Sequence, residues 1–206
     1  MVRWFFRLLF RLTGWKVDRN VPEGAHNSVM LAAPHTSNWD FPYTIAAFDL
    51  LNIGLRYTVK KELNFFPLSW ILNSLGAIWV DRSPKNKGEK RRSMVEVMTE
   101  LFDRSEPLVV LVTPEGTRSK RTNWKTGFYY VAMNANVPIA LGYVDFKTKI
   151  AGVGKVIHPS GNIEKDMREI VEFYNTINGK IPANYSPDLR YSGTQKWEMK
   201  TKESRG

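Results

Sequence analysis

The side chains in this sequence best suited to moving a proton are His35 and Asp40, in the stretch Ala33 to Tyr43, A-P-H-T-S-N-W-D-F-P-Y. A neutral imidazole takes a proton from a hydroxyl. A carboxylate bonded to its other ring nitrogen fixes the tautomer and stabilises the imidazolium as it forms. The apolar run Ser28 to Ala32 (SVMLA) reads as a buried strand, and Thr44 to Leu51 as the body of a helix. The pair therefore falls at a strand-to-helix turn, where a rigid scaffold holds a reactive group and leaves it open to a substrate. The same residues also fit a plain helix start, with Asp40 as N-cap, Pro42 in the first turn and His35 as a loop histidine. The pair alone leaves both readings open.

A second constellation, Thr113 to Ser119 (T-P-E-G-T-R-S), is delivered by Leu108 to Val112 (LVVLV). That continuous run reads as a central, parallel strand covered on both faces. Gly116 lets the backbone approach a ligand closely, and Arg118 offers a planar fork suited to phosphate. A tight turn with a solvated arginine is the plainer alternative. The chain has no cysteine, which removes disulfides, thiolate metal sites and a cysteinyl acyl intermediate together. His26 and His158 stand in no ligand spacing, which argues against a metal hydrolase using His35 and Asp40 as ligands.

The elements that must position these groups alternate. Strands are expected at Leu55 to Lys60, Ala77 to Val80 and Pro138 to Val144, with one or two more in Lys149 to Ile157 turning at Gly152 and Gly154. Helices are expected from Pro67 to Leu75, ended by Gly76, and from Lys90 to Arg104, with Met94, Val97, Met98, Leu101 and Phe102 inward. Two more run from Gly127 to Asn136 and from Glu164 to Tyr174. This order predicts one α/β domain over residues 19–181, a mixed, mostly parallel sheet flanked by helices, with charged residues at strand ends where such sheets hold ligands. Pro182, Pro187 and the charged end predict an extended or partly disordered basic tail over 182–206.

Thirty Lys and Arg against twenty Asp and Glu give a net charge of +10, which calls for an anionic partner. Aromatics do not interleave with the basic clusters on any strand surface, so nucleic acid is not expected. In Met1 to Trp15 (MVRWFFRLLFRLTGW), Arg3, Arg7 and Arg11 form a stripe and apolar residues cover the remaining arc. The arginines interrupt the run too often for a spanning helix, and no cleavage site follows a clean hydrophobic core. Residues 1–18 are expected to form an amphipathic helix in the membrane interface, arginines on lipid phosphates. A helix packed on its own domain is the alternative.

His35 to Asp40, H-x-x-x-x-D, resembles the first motif of the lysophospholipid acyltransferase family, whose best known members are the 1-acylglycerol-3-phosphate acyltransferases. Val59 to Leu63 (V-K-K-E-L) resembles its lysine-bearing segment, and Gly76 to Arg82 (G-A-I-W-V-D-R) its second motif. Pro114 to Ser119 resembles the third, and Val137 to Ile139 (V-P-I) the start of the fourth. These motifs occur in the family order over about residues 30 to 145. The resemblance implies that His35 is the general base and Asp40 its orienter. It implies that Glu115, Gly116, Thr117 and Arg118 hold the acceptor, with Lys60 and Arg82 gripping its phosphate. It also implies direct transfer of a fatty acyl group from acyl-CoA or acyl carrier protein to a lysophospholipid hydroxyl, in phospholipid biosynthesis, without metal, cofactor or covalent enzyme intermediate. The expected setting is peripheral, on the cytoplasmic face of the cell membrane.

A thioester is already activated, so the remaining needs are deprotonation of the hydroxyl and an oxyanion site, which N–H groups near Gly116 could supply. A fatty chain also needs an apolar wall, for which Phe65, Phe66, Leu68, Trp70, Ile71 and Leu72 are the candidates, ordinary core packing being their alternative. Thr113, Trp39, the segment Trp124 to Phe128 and Ala140 to Tyr143 depart from the family pattern around the acceptor motifs. Another lysophospholipid or an acylated amino-acid lipid is therefore an alternative acceptor, and a non-catalytic basic membrane-binding module the rival in another class.

Overall fold

A computed structural model of the chain describes residues 2–61, 64–80, 92–103 and 107–193. Strands β1 (Lys16–Val17), β2 (Ser28–Ala32), β3 (Leu55–Lys60), β4 (Ala77–Val80), β5 (Val109–Val112), β6 (Ile139–Asp145) and β7 (Ile150–Ile157) form one sheet in the order β1-β7-β6-β2-β5-β3-β4. Among the described residues only the β6/β7 pair is antiparallel; β1 pairs in parallel with β7, β2 with β5 and β6, and β3 with β4 and β5. This is the mixed, mostly parallel α/β sheet that the alternation of elements predicts.

The sheet is central because its strands are apolar on both faces. Along β2, Val29 and Leu31 enter one core cluster, with Phe128, Met167, Ile170 and Tyr174 of α5 (Gly127–Ala135) and α6 (Ile163–Tyr174). Met30, between them, enters the other, with Phe10 of α1 (Val2–Leu12) and Tyr43, Ala47 and Phe48 of α2 (Asp40–Leu50). The period-two alternation of a strand thus distributes one run, SVMLA, between two helical layers. Because β2, β5 and β3 are parallel neighbours, their C-terminal ends share one edge. His35, the Thr113–Arg118 turn and Lys60 all leave from that edge.

Three elements differ in detail from the sequence reading. Residues 150–157 are one strand, in which Gly152 and Gly154 are close approaches rather than a turn. A Cβ on Gly154 would lie 2.3 Å from the Phe173 ring, and one on Gly152 2.8 Å from Asp18 Cβ. The helix expected over 90–104 is described only as α4 (Met94–Thr99). Ser93 starts it with a capping box, its hydroxyl accepting Glu96 N–H while the Glu96 carboxylate accepts Ser93 N–H. Residues 182–193 of the expected tail form a 3-10 turn (Pro182–Asn184) followed by a strap over the site described below, and 194–206 lie outside the described residues.

The amino-terminal helix is turned the other way round from expectation. Arg3 Nη1 lies 3.2 Å from Asp49 Oδ1, Arg7 Nε bonds to Asp49 Oδ2, and Arg3 Nε donates to the Ser74 carbonyl of α3 (Leu68–Leu75) at 2.9 Å. Two of the three arginines therefore face the domain, together with Phe10, which is buried against Trp15 and Tyr43. The outward face is apolar: Trp4, Phe5, Leu8 and Leu12 are exposed. Phe65, Phe66 and Trp70, at the start of α3, are exposed as well. No helix among the described residues is long and apolar enough to cross a membrane.

Candidate active site

Asp40 is the first residue of α2, and only 6% of it is exposed. Its Oδ2 accepts the backbone N–H groups of Thr36 (2.7 Å) and Ser37 (2.9 Å), and its Oδ1 accepts the Ser37 hydroxyl at 3.0 Å. The carboxylate thus shapes the turn that carries His35, and four partners satisfy it where water is excluded. The fourth is His35 Nδ1, 3.1 Å from Oδ2. An ionised carboxylate only accepts, so Nδ1 carries the proton and Nε2 is left with a free lone pair. The N-cap reading of Asp40 does not hold: Trp39 is the N-cap of α2, with no side-chain cap bond, and the Asp40 carboxylate instead closes the preceding turn and orients the imidazole. The His35 side chain is 18% exposed, so it remains reachable.

The Glu115 carboxyl is turned inward, 3% exposed, and its Oε1 accepts the His35 N–H at 2.7 Å. Its Oε2 is buried without a hydrogen-bond partner, as is the Tyr185 hydroxyl. Burial pushes Glu115 up to about 8 from an ordinary 4.5; the His35 N–H bond opposes this and the Asp40 charge adds to it. At neutral pH the group is held protonated. Expected from the family resemblance to hold the acceptor, Glu115 sits in the structure as a brace under His35. Gly116 beside it has φ +67 and is exposed, as is Arg118, with Thr117 half-buried between them.

Lys60 ends β3, one strand over from β5, so its backbone shares the site edge. Arg82, expected as a third phosphate-gripping cation, lies outside the described residues. A small cavity of ≈ 50 Å³ opens beside His35, lined by Phe41, Phe48, Leu111 and Val144 among others. At roughly 10–15 Å³ for each water-sized group it has room for a few atoms, not for a fatty chain. Leu68, Ile71 and Leu72 are half-buried and Phe65, Phe66 and Trp70 exposed. The apolar wall expected from these six is therefore surface rather than core.

Sequence reading missed the strap. Ile181 N–H donates to the Thr36 hydroxyl (3.2 Å) and Asn184 Nδ2 to the Thr36 carbonyl (3.3 Å), while the Lys180 ammonium lies 4.5 Å from the centre of the exposed Trp39 ring. Farther on, Asp188 Oδ2 accepts Trp124 N–H at 3.0 Å, Trp124 Nε1 donates to the Ser186 carbonyl at 3.1 Å, and Arg190 Nη2 donates to the Trp124 carbonyl at 2.6 Å. One segment without regular periodicity thus ties the His35 turn to the loop after β5. The only sequence signal was the bulky Trp124.

Among the described residues no three His, Asp or Glu come together as a metal site. The arrangement suits proton transfer from a hydroxyl to His35 Nε2, beside a turn whose Gly116 N–H is taken by the Thr113 carbonyl at 3.1 Å and whose Arg118 is exposed. The chain resembles the 1-acyl-sn-glycerophosphate (LPA) acyltransferase PlsC from Thermotoga maritima in fold. The TM-score is 0.55 at 19% identity, over 84% of this chain and 74% of that one. No curated protein matches the sequence. The family model described as Acyltransferase matches residues 16–140, from β1 through the His35 and Glu115 turns into β6. The protein belongs to the acyltransferase family.

Proposed function

We propose that the protein transfers a fatty acyl group from a thioester, on coenzyme A or acyl carrier protein, to the hydroxyl of a phosphorylated lysolipid, 1-acylglycerol 3-phosphate first among them. The observation that carries this reading is the His35 Nδ1 to Asp40 bond, which frees Nε2 to act as base. The acceptor oxygen attacks the thioester carbon as its proton passes to Nε2. The tetrahedral oxyanion collapses, the C–S bond breaks, and the leaving thiolate takes the proton back from the imidazolium. An ester and a free thiol result, with no cofactor consumed. The buried Asp40 charge stabilises the transient imidazolium.

The protein then works peripherally on a membrane, on the cytoplasmic face where such thioesters are made. What supports this is the outward apolar stripe of α1 with Phe65, Phe66 and Trp70, together with the net charge of +10. The exposed apolar surface offers the fatty chain a place that the small cavity does not. The decisive experiment supplies purified protein with acyl-CoA or acyl carrier protein and a panel of lysolipids, and reads products by mass spectrometry. Acylated glycerol 3-phosphate lipid as the main product is the expected result. Preference for an acylated amino-acid lipid overturns the acceptor, and no transfer by a folded protein overturns the activity.

A further inference from the structure

The loop between β5 and α5, residues 113–126, holds four basic residues, Arg118, Lys120, Arg121 and Lys125, and a single acidic one, Glu115, which is buried. Lys125 differs from the other three in how it is placed. Its backbone is fixed, because its N–H donates to the Pro114 carbonyl at 2.8 Å, closing the loop on itself. The preceding residue, Trp124, is buried and bonded to Ser186, Asp188 and Arg190 of the strap. The Lys125 side chain lies along Gly116. A Cβ on Gly116 would stand 2.8 Å from its Nζ and 2.9 Å from its Cε, so a side chain there would push the lysine's flexible end aside, and the φ of +67 itself favours glycine. Among the described residues nothing bonds to the ammonium. The loop's own carboxyl, Glu115, is held protonated by burial.

Lys125 is exposed and its backbone is anchored; its ammonium, beside a turn braced to His35 and with no bonded anion, is placed to meet an anion that arrives with a substrate. We infer that Lys125 is a further substrate-binding residue, its ammonium gripping a phosphate group over Gly116. This deepens the acyl-transfer reading and rests on it. Two substrates carry such a group: the lysolipid acceptor, and the donor, whose pantetheine arm ends on phosphate. The strap is then a positioning device, because it holds Trp124 and through it the lysine.

The test compares wild type with Lys125→Met, which keeps the alkyl chain, and Lys125→Arg, which keeps the charge. Lys165→Met on the far helix α6 controls for the lost net charge. Each is assayed with 1-acylglycerol 3-phosphate or 1-acylglycerol as acceptor, and with acyl-CoA or S-acyl pantetheine as donor. Lys125→Met is expected to raise KM roughly tenfold or more for one phosphate-bearing substrate and not for its phosphate-free counterpart, the size of one charge-assisted contact. At saturation kcat should stay within about twofold, because the contact is made equally before and during the chemical step. Lys125→Arg should recover most of the loss. Which substrate responds identifies the phosphate. Unchanged KM throughout, or equal loss with and without phosphate, overturns the inference. If wild type is inactive on every pair, the proposed function falls, and quenching of tryptophan fluorescence by the same ligands decides Lys125 separately. Loss of preference for the phosphorylated ligand in Lys125→Met sustains the inference, and equal binding by both proteins overturns it.

Discussion

Glu115 Oε1 accepts the backbone N–H of His35 at 2.7 Å across 80 residues of sequence. The bond joins the turn after β5 to the turn after β2, so a residue of the second constellation supports the base of the first. Its partnerless Oε2 and raised pKa mean that it does so as a neutral acid.

This predicts a pH signature in stability. In the unfolded chain Glu115 ionises near 4.5, and in the fold near 8. Its raised folded value gives a contribution fully present below 4.5 and lost as pH rises toward 8. Between those values only the folded state holds the proton, so wild-type stability falls by up to about 1.4 kcal/mol per pH unit from this group. Glu115→Gln keeps an oxygen for His35 N–H and does not titrate. The stability of the variant minus that of wild type, from urea unfolding at a series of pH values, should rise over this window and level off above it. A flat difference would show that the carboxyl is ionised in the fold.

His35→Ala should lower turnover by roughly a hundredfold or more with folding intact, since a positioned general base contributes about that much. Asp40→Asn should be nearly as damaging. Its amide oxygen can still accept the Thr36 and Ser37 N–H groups, so the turn survives while the charge facing the imidazolium is gone. Circular dichroism and steady-state kinetics on both variants check this, and near-normal turnover in either removes the proposed mechanism.

Removing the Asp188 side chain leaves the buried Trp124 N–H without its acceptor and the Arg190 guanidinium without its carboxylate. Asp188→Ala should cost about 2–4 kcal/mol, most of it from the orphaned buried donor, since Arg190 is partly exposed and screened. Limited proteolysis should cut first within residues 114–126, the loop this contact anchors.

The outward and inward faces of α1 should separate in experiment. Serine at Trp4, Phe5, Leu8 and Leu12 together should abolish co-sedimentation with anionic vesicles and leave the fold intact, because all four are exposed. Phe10→Ala should instead destabilise by about 3–5 kcal/mol, since its ring is buried against Trp15 and Tyr43.

The sequence by itself determined the elements and the chemistry they carry. SVMLA and LVVLV are apolar without interruption because both faces of their strands are covered, Gly76 ends α3 because its φ is +107, and H-x-x-x-x-D places a base and its orienter in one turn. These are local facts, set by periodicity and backbone sterics within a few residues. Tertiary structure decided what depends on residues far apart in the chain. Nothing in MVRWFFRLLFRL tells whether its arginines face lipid or protein; Asp49, on a different helix, settles it by pairing with Arg3 and Arg7 and so turning Trp4, Phe5, Leu8 and Leu12 outward. Glu115 reads in the sequence as a residue that holds the acceptor, and its bond to the His35 N–H, 80 residues away, is a contact that only the fold makes. The segment 176–193 has no periodicity to read, because its order comes from single hydrogen bonds to Thr36 and Trp124 rather than from a repeating apolar face. A long-range contact leaves no mark in local spacing, since its partner is brought up by the sheet and not by the sequence around it.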